Sequence, residues 1–408
     1  MLKLLFTLLL SHQKETLKAQ FTRRARLLMI RGSGHFTSRS LFLFLMGTVL
    51  LIAACGGGGN SSSGTTHVTP ATEPSQGPFA KSPYKIATFA GTPPAGANSP
   101  DDLAISADGM FLWVGYGNGV DTFGKGGPST LVKYDISTGN VLRSVNIQGH
   151  LDGLKINPVT NDIWATENED GNPTLTIVNA GSGGYQTYTF APALLSGGMD
   201  DLVFTLTSPL QVFIVASSQT DISLPVIVQV PAKPPSTGTQ LTPTAFLPGD
   251  PARVVNIATD GVETADMIGD PDSMTLDPAG DLVLDNRSDS SLYIVSPSVG
   301  GPVQRLQLTI KGAPVQVNDT IWTQSTFGVS SPSGTGAIFI TDTNANAIYV
   351  LTKPFFPPAG EAYTAAVAVG VVGLVDLQTG AVSPVATGFQ APNCLAFAPF
   401  AGPIATTH

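Results

Sequence analysis

Six short strands in this chain open in the same way, with Asp or Asn, one spacer residue and then an apolar run. They read Asp101-Asp-Leu-Ala-Ile, Asp152-Gly-Leu-Lys-Ile, Asp200-Asp-Leu-Val-Phe, Asp272-Ser-Met-Thr-Leu, Asn318-Asp-Thr-Ile-Trp and Asn393-Cys-Leu-Ala-Phe. Repeats of roughly 40–50 residues, each holding several short strands, mark a β-propeller. Equivalent strands of successive blades line the central channel. Asp101, Asp152, Asp200, Asp272, Asn318 and Asn393 are therefore expected to meet at one mouth of the molecule.

The rest of each repeat supports an all-β chain. Asp101 is followed by the runs 111–115 and 130–135, a Ser-Thr-Gly turn ending at Gly139, and the run 141–145. The next unit gives 162–166, 175–179 and 185–190, and a later one 282–285, 292–295 and 303–308. These are β-branched or aromatic runs punctuated by Gly, Pro, Asn and Asp. A single propeller of six blades is expected, with five or seven as the other counts. The ring residues are unevenly spaced, at intervals of 51, 48, 72, 46 and 75. The two long intervals predict insertions at the Pro-rich stretch from Pro231 to Pro251 and at 353–360, because proline cannot donate to a ladder. The last unit is short, and Tyr84-Lys-Ile-Ala-Thr-Phe89 is placed to supply its outer strand and close the circle.

Residues 1–54 read as a targeting segment rather than as part of the fold. The apolar run 41–54 follows Arg31 and Arg39 and ends Leu51-Ile-Ala-Ala-Cys55. Fourteen residues are too few to span a bilayer comfortably. The ending resembles the lipobox of bacterial lipoproteins, which implies that Cys55 becomes the lipid-modified first residue of the mature protein. An uncleaved signal anchor is the other reading. Translation starting at Met29 would leave a leader of more usual length. Residues 55–80 then form a Gly/Ser/Thr/Pro tether, and 81–408 the propeller. The expected address is the extracytoplasmic face of a bacterial cell envelope, with Gly56 after the cysteine pointing to the outer membrane in a Gram-negative host.

Charge narrows the partners. Beyond residue 54 the chain carries 12 basic and 28 acidic side chains, 23 of them Asp. So acidic a body repels nucleic acid, whose binding needs cationic contacts to phosphate. Many of these Asp residues are turn formers. Only two cysteines exist; with Cys55 lipidated, Cys394 has no disulfide partner and reads as a small buried hydrophobe.

The Pro-Asp-x-Met and Pro-Asn-x-Leu openings, with the hairpin Ile340-Thr-Asp-Thr-Asn-Ala-Asn-Ala-Ile-Tyr-Val350, resemble NHL-repeat propellers and the senescence-marker/gluconolactonase (SMP-30-like) group. Gly149-His-Leu-Asp-Gly-Leu-Lys155, Asn168-Glu-Asp-Gly-Asn-Pro173 and the run from Gly373 to Gly380 resemble a group of secreted bacterial propellers. In the gluconolactonase-like enzymes, Asn and Asp at these openings, with one Glu, hold a central divalent cation. The resemblance implies that role for Asp152, Asp200, Asp272, Asn318 and Asn393, while Asp101 stands where a first-blade Glu is usual. Independently, converging carboxylates repel one another and either take up protons or recruit a cation. Oxygen donors suit Ca²⁺ better than Zn²⁺. Strand-end caps around a water-filled channel are the alternative.

His150, two residues before Asp152, is placed to line the same mouth and to act as a general base. The stretches 168–172 and 342–346 superficially look like calcium loops, but their position between second and third strands predicts hairpin turns. Gly115-Tyr-Gly-Asn-Gly119 is not a dinucleotide fingerprint, since no helix follows it; the loop continuing to Gly127 is placed to overhang one face. Trp113, Trp164 and Trp322 are expected in the core. Two functions fit: a lipid-tethered module that binds a protein, glycan or small molecule at the channel mouth, or a calcium-dependent lactonase or esterase.

Overall fold

The computed structural model describes residues 77–407 apart from 193–196, 218–220, 222, 236, 252, 265–267, 299–300, 324–333, 359 and 400–401. The leader, Cys55 and most of the tether lie outside the described residues. The body is an all-β propeller of six blades, here numbered I to VI from the ring residue Asp101 onward. Its innermost strands are Pro100–Ile105, Leu151–Ile156, Met199–Phe204, Pro271–Leu276, Asp319–Trp322 and Pro392–Ala398. Each packs on the next, and the last packs on the first.

Blade I has the simple form: Pro100–Ile105, Phe111–Tyr116, Pro128–Asp135 and Val141–Gln148 run antiparallel from channel to rim. Alternation in these strands sends one set of side chains toward each neighbouring blade, so the core is a series of apolar layers between sheets. Trp113, Leu131 and Ile147 of blade I meet Leu154 and Ile163 of blade II, for example. Strand limits elsewhere follow the sequence reading to within two or three residues.

The two long intervals contain the expected loops but also added strands and a crossing between blades. The Pro-rich stretch 231–251 leaves the sheet only in part. It carries Thr244–Pro248, the outer strand of blade III, and Gln240–Leu241, which adds in parallel to the outer strand of blade II. Just beyond it, Val254–Asn256 and Gly261–Glu263 extend the edge of blade IV. Proline is tolerated here because these are rim strands with one unpaired edge.

The 75-residue interval arises because blades V and VI are interleaved. After the inner strand of blade V, the chain enters blade VI as Ala337–Asp342 and Ala347–Thr352. It then returns through 353–361 to build Ala362–Ala366, Val371–Val375 and Val382–Thr387 of blade V. Finally it crosses again to supply the inner strand of blade VI. The amino end completes both sheets: Phe79–Ala80 pairs with Val382–Thr387, and Lys85–Phe89 pairs with Ala347–Thr352. Closure by the segment around Tyr84–Phe89 is thus as expected, while the missing middle of the last unit lies upstream of its inner strand. Among the described residues no helix is long and apolar enough to cross a membrane.

Candidate functional site

Five of the six inner strands carry the same irregularity. The pairing jumps from Pro100↔Tyr116 to Leu103↔Val114, from Leu151↔Glu167 to Leu154↔Ala165, from Met199↔Ala216 to Leu202↔Ile214, and from Pro271↔Asn286 to Met274↔Leu284. In blade VI it jumps between Pro392↔Asp342 and Leu395↔Ile340. Two residues therefore oppose one, which is a β-bulge. In a regular strand the residue after Asp101 would turn away from the channel; with the bulge both positions face it.

Two tiers of side chains result. The upper tier is Asp101, Asp152, Asp200, Asp272, Asn318 and Asn393, and all six line one open cavity of about 250 Å³. The lower tier is Asp102, Gly153, Asp201, Ser273, Asp319 and Cys394, which line it too. Carboxylates alternate with small residues in the lower tier, and the alternation joins the blades. Asp102 Oδ2 accepts the N–H of Leu154, Asp201 Oδ2 that of Met274 at 3.0 Å, and Asp319 Oδ2 that of Leu395 at 2.6 Å. At the intervening joints a side chain of the second strand completes the contact. Thr166 donates to the carbonyl of Asp200, Thr341 to that of Asp101 at 2.6 Å, and Asp285 accepts from Thr320 at 2.8 Å.

Lys155, three positions after Asp152, reaches up from below and closes the channel. Its Nζ lies 2.7 Å from both carboxylate oxygens of Asp201. Burial disfavours its charge, yet Asp201 and Asp102 raise its pKa overall. Burial raises the carboxyls of Asp102 to about 7 and of Asp319 to about 6, against the opposing pull of Lys155.

The upper tier divides into two parts. On one side Asn318 donates to Asn393 at 2.7 Å, and Asn393 donates to Asp101. On the other, one carboxylate oxygen each of Asp152, Glu169 and Asp200 lie within 4.8 Å of one another. Asp152 Oδ2 is buried with no hydrogen-bond partner. Burial first, and then mutual repulsion with Glu169 and Asp272, push Asp152 and Asp200 well above the ordinary carboxylate range. Glu169 is raised to about 7, chiefly by burial. It sits in the loop between Ile163–Glu167 and Thr174–Val178, where a turn was expected, and the loop's Asp170 N–H bonds Thr122 O of the 117–127 loop at 3.1 Å. That second loop does overhang the site, since Thr122 lines the cavity.

The donor set fits a hard divalent cation. Oxygens that share one Ca²⁺ at about 2.3–2.6 Å lie up to roughly 5 Å apart across the ion, as these three do. The other calcium-like stretch is structural: Asp342 accepts the N–H groups of Gln390 and Ala391 at 2.9 and 2.8 Å.

Two basic groups share the cavity. His150 Nε2 lies 3.7 Å from Asp101 Oδ2, and its buried Nδ1 has no partner. Burial lowers its pKa, so the ring is neutral at pH 7. Arg287 follows the second strand of blade IV, with Nη1 3.4 Å from Asp272 Oδ1. Cys394 is buried beside Asp102 and Asp319, with its thiol pushed up by burial. Trp113, Trp164 and Trp322 are buried core residues as expected, and Trp322 also lines a chamber below the plug.

No protein-family model matches the chain, and no curated protein matches it. Among solved structures it is similar to a streptogramin B lyase, at 13% identity and TM-score 0.40 over 72% of this chain and 84% of that one. It is also similar to the periplasmic gluconolactonase of Pseudomonas aeruginosa, at 13% identity and TM-score 0.42 over 77% and 99%. A virginiamycin B lyase from Staphylococcus aureus follows, at 10% identity and TM-score 0.37 over 72% and 85%.

Proposed function

We propose that this propeller is an extracytoplasmic binding module whose acidic mouth holds a divalent cation of the Ca²⁺ type between Asp152, Glu169 and Asp200. The carrying observation is the buried, unpartnered Asp152 Oδ2 inside a carboxylate trio of ligating dimensions. A buried acceptor without a donor is costly, and a cation at that point would satisfy all three groups. Bound there, the ion would offer open positions to hydroxyl or carbonyl oxygens of a ligand. Arg287, beside Asp272 on the neighbouring blade, would orient an acceptor on that ligand. A glycan, small molecule or protein loop rich in oxygen matches this mouth.

Calcium binding adds stability by mass action. Millimolar Ca²⁺ is expected to raise the melting temperature of chelator-treated protein by several degrees. Asp152→Asn with Asp200→Asn should remove that rise. A melting curve indifferent to Ca²⁺ in the unaltered protein would reject the cation site.

His150 favours a second reading, a lactone or ester hydrolase of the gluconolactonase type. A neutral imidazole beside a carboxylate can accept a proton from an attacking water. The cation would supply polarisation of the carbonyl, and Asp101 would hold the ring that carries the proton. Lactone turnover that is lost both with chelator and in His150→Gln supports hydrolysis; Ca²⁺-dependent ligand binding with no turnover supports the binding module alone.

The address is part of the same proposal: Cys55 carries lipid and tethers the propeller to a bacterial membrane, outer in a Gram-negative host. Cys55→Ala is then expected to move the protein from the membrane fraction to the soluble one or to stall its processing. Unchanged membrane association would sink the lipoprotein reading.

A further inference from the structure

The channel does not end at Lys155. Beyond it lies a second chamber, lined by residues of all six inner strands toward their later ends, away from the acidic mouth. Its outer wall is a ring formed by the fifth residue of every repeat, Ile105, Ile156, Phe204, Leu276, Trp322 and Phe397. Each of these positions is large and apolar, so the two ends of one channel have opposite chemistry. Three polar side chains line the chamber. They are Lys155, Thr275 one position before Leu276, and Asp319 of the plug.

We propose that this chamber is a second ligand site, for a slender neutral amphiphile that enters polar end first. Six converging apolar side chains with a few polar groups are the usual make-up of a small-molecule pocket. Two oxygens of Asp201 occupy the Lys155 amine, which has three N–H donors. The remaining donor and the Thr275 hydroxyl can meet one acceptor oxygen. Charge decides which acceptor. Asp102, Asp201 and Asp319 surround a single ammonium, so a carboxylate head would add to a carboxylate excess, whereas a hydroxyl or carbonyl oxygen would not. The chamber holds about 70 Å³, roughly half the volume of an engineered cavity that takes up benzene. The head and first carbons therefore fit within it, and the tail extends past the apolar ring. An alkyl alcohol, aldehyde or ketone has this form.

The probe is 1-hexanol, followed by saturation-transfer NMR and by the fluorescence of Trp322, with Trp322→Phe as the spectral control. Saturable binding is expected, equally with Ca²⁺ and with chelator, which separates this site from the acidic mouth. Hexanoate should bind at least tenfold more weakly. Ala396→Leu, which fills the chamber wall, should abolish binding. Thr275→Val keeps the shape, removes one head-group partner and should weaken binding several-fold even if Ala396→Leu does not fold. The proposal is overturned if hexanol shows no saturable binding, if hexanoate binds as well, or if a folded Ala396→Leu binds hexanol unchanged.

Discussion

Lys155→Met is expected to lower the folding stability of the propeller by about 3–5 kcal/mol, because it leaves buried carboxylates without their counter-charge. Methionine preserves the stem's volume, so the loss would report charge and hydrogen bonding rather than a cavity. Asp201 would lose both contacts to the amine, and Asp102 and Asp319 would lose the nearest positive charge. Only proton uptake by these acids would soften the effect. Urea unfolding of both proteins at pH 8 measures the difference. A loss below about 1 kcal/mol, the range of exposed ion pairs, would mean that the amine is solvated and the channel unplugged.

The ion-free body should become more stable as pH falls from about 8 toward 5, the reverse of ordinary acid denaturation. Burial raises Asp102 and Asp285 to about 7 and Asp319 to about 6, against roughly 3.9 in an unfolded chain. Between those values the folded state binds more protons than the unfolded one, so the free energy of unfolding falls as pH rises through the window. This proton-linked stability is fully present below the unfolded pKa and is lost once pH passes the folded one. At roughly 1.4 kcal/mol per pKa unit, three such groups amount to several kcal/mol. Asp135, Asp221 and Asp376, lowered mainly by turn hydrogen bonds, titrate below the window and do not oppose the trend. Melting temperatures in chelator at pH 8, 7, 6 and 5 test this. A flat or falling series would show that these acids stay ionised in the fold.

Much of this architecture was legible in six pentapeptides. Their first residue marks the acidic mouth and their fifth the apolar one, because the strand that carries both runs the length of the channel. The plug was less legible. Alternation assigns the second residue of most repeats to the wrong side; the bulge brings Asp102 and Asp201 inward, while Asp319, on the regularly paired strand of blade V, lines the channel without one. The Asp-Gly-Asp-Ser-Asp-Cys alternation at that position was the available signal. Glu169 and Arg287 reach the site from loops after second strands, and loop geometry has no period to read. Gln240–Leu241 and the crossing of blades V and VI escaped for a different reason. Strand pairing there joins segments far apart in the chain, and local pattern shows that a strand forms but not which partner it takes.

Interleaving also sets the order in which the molecule can be made. Blade VI joins Lys85 to Thr352 and Phe89 to Thr406, contacts that span most of the body. Such long-range pairing forms slowly, since loop closure precedes any reward. As the chain emerges from synthesis, the segment 85–89 waits with open edges until the last residues arrive. Ring closure is then a single late event shared by both ends of the chain. A nonsense mutation just before Pro392 would remove a channel-lining strand rather than a rim strand, opening the acidic mouth along its side.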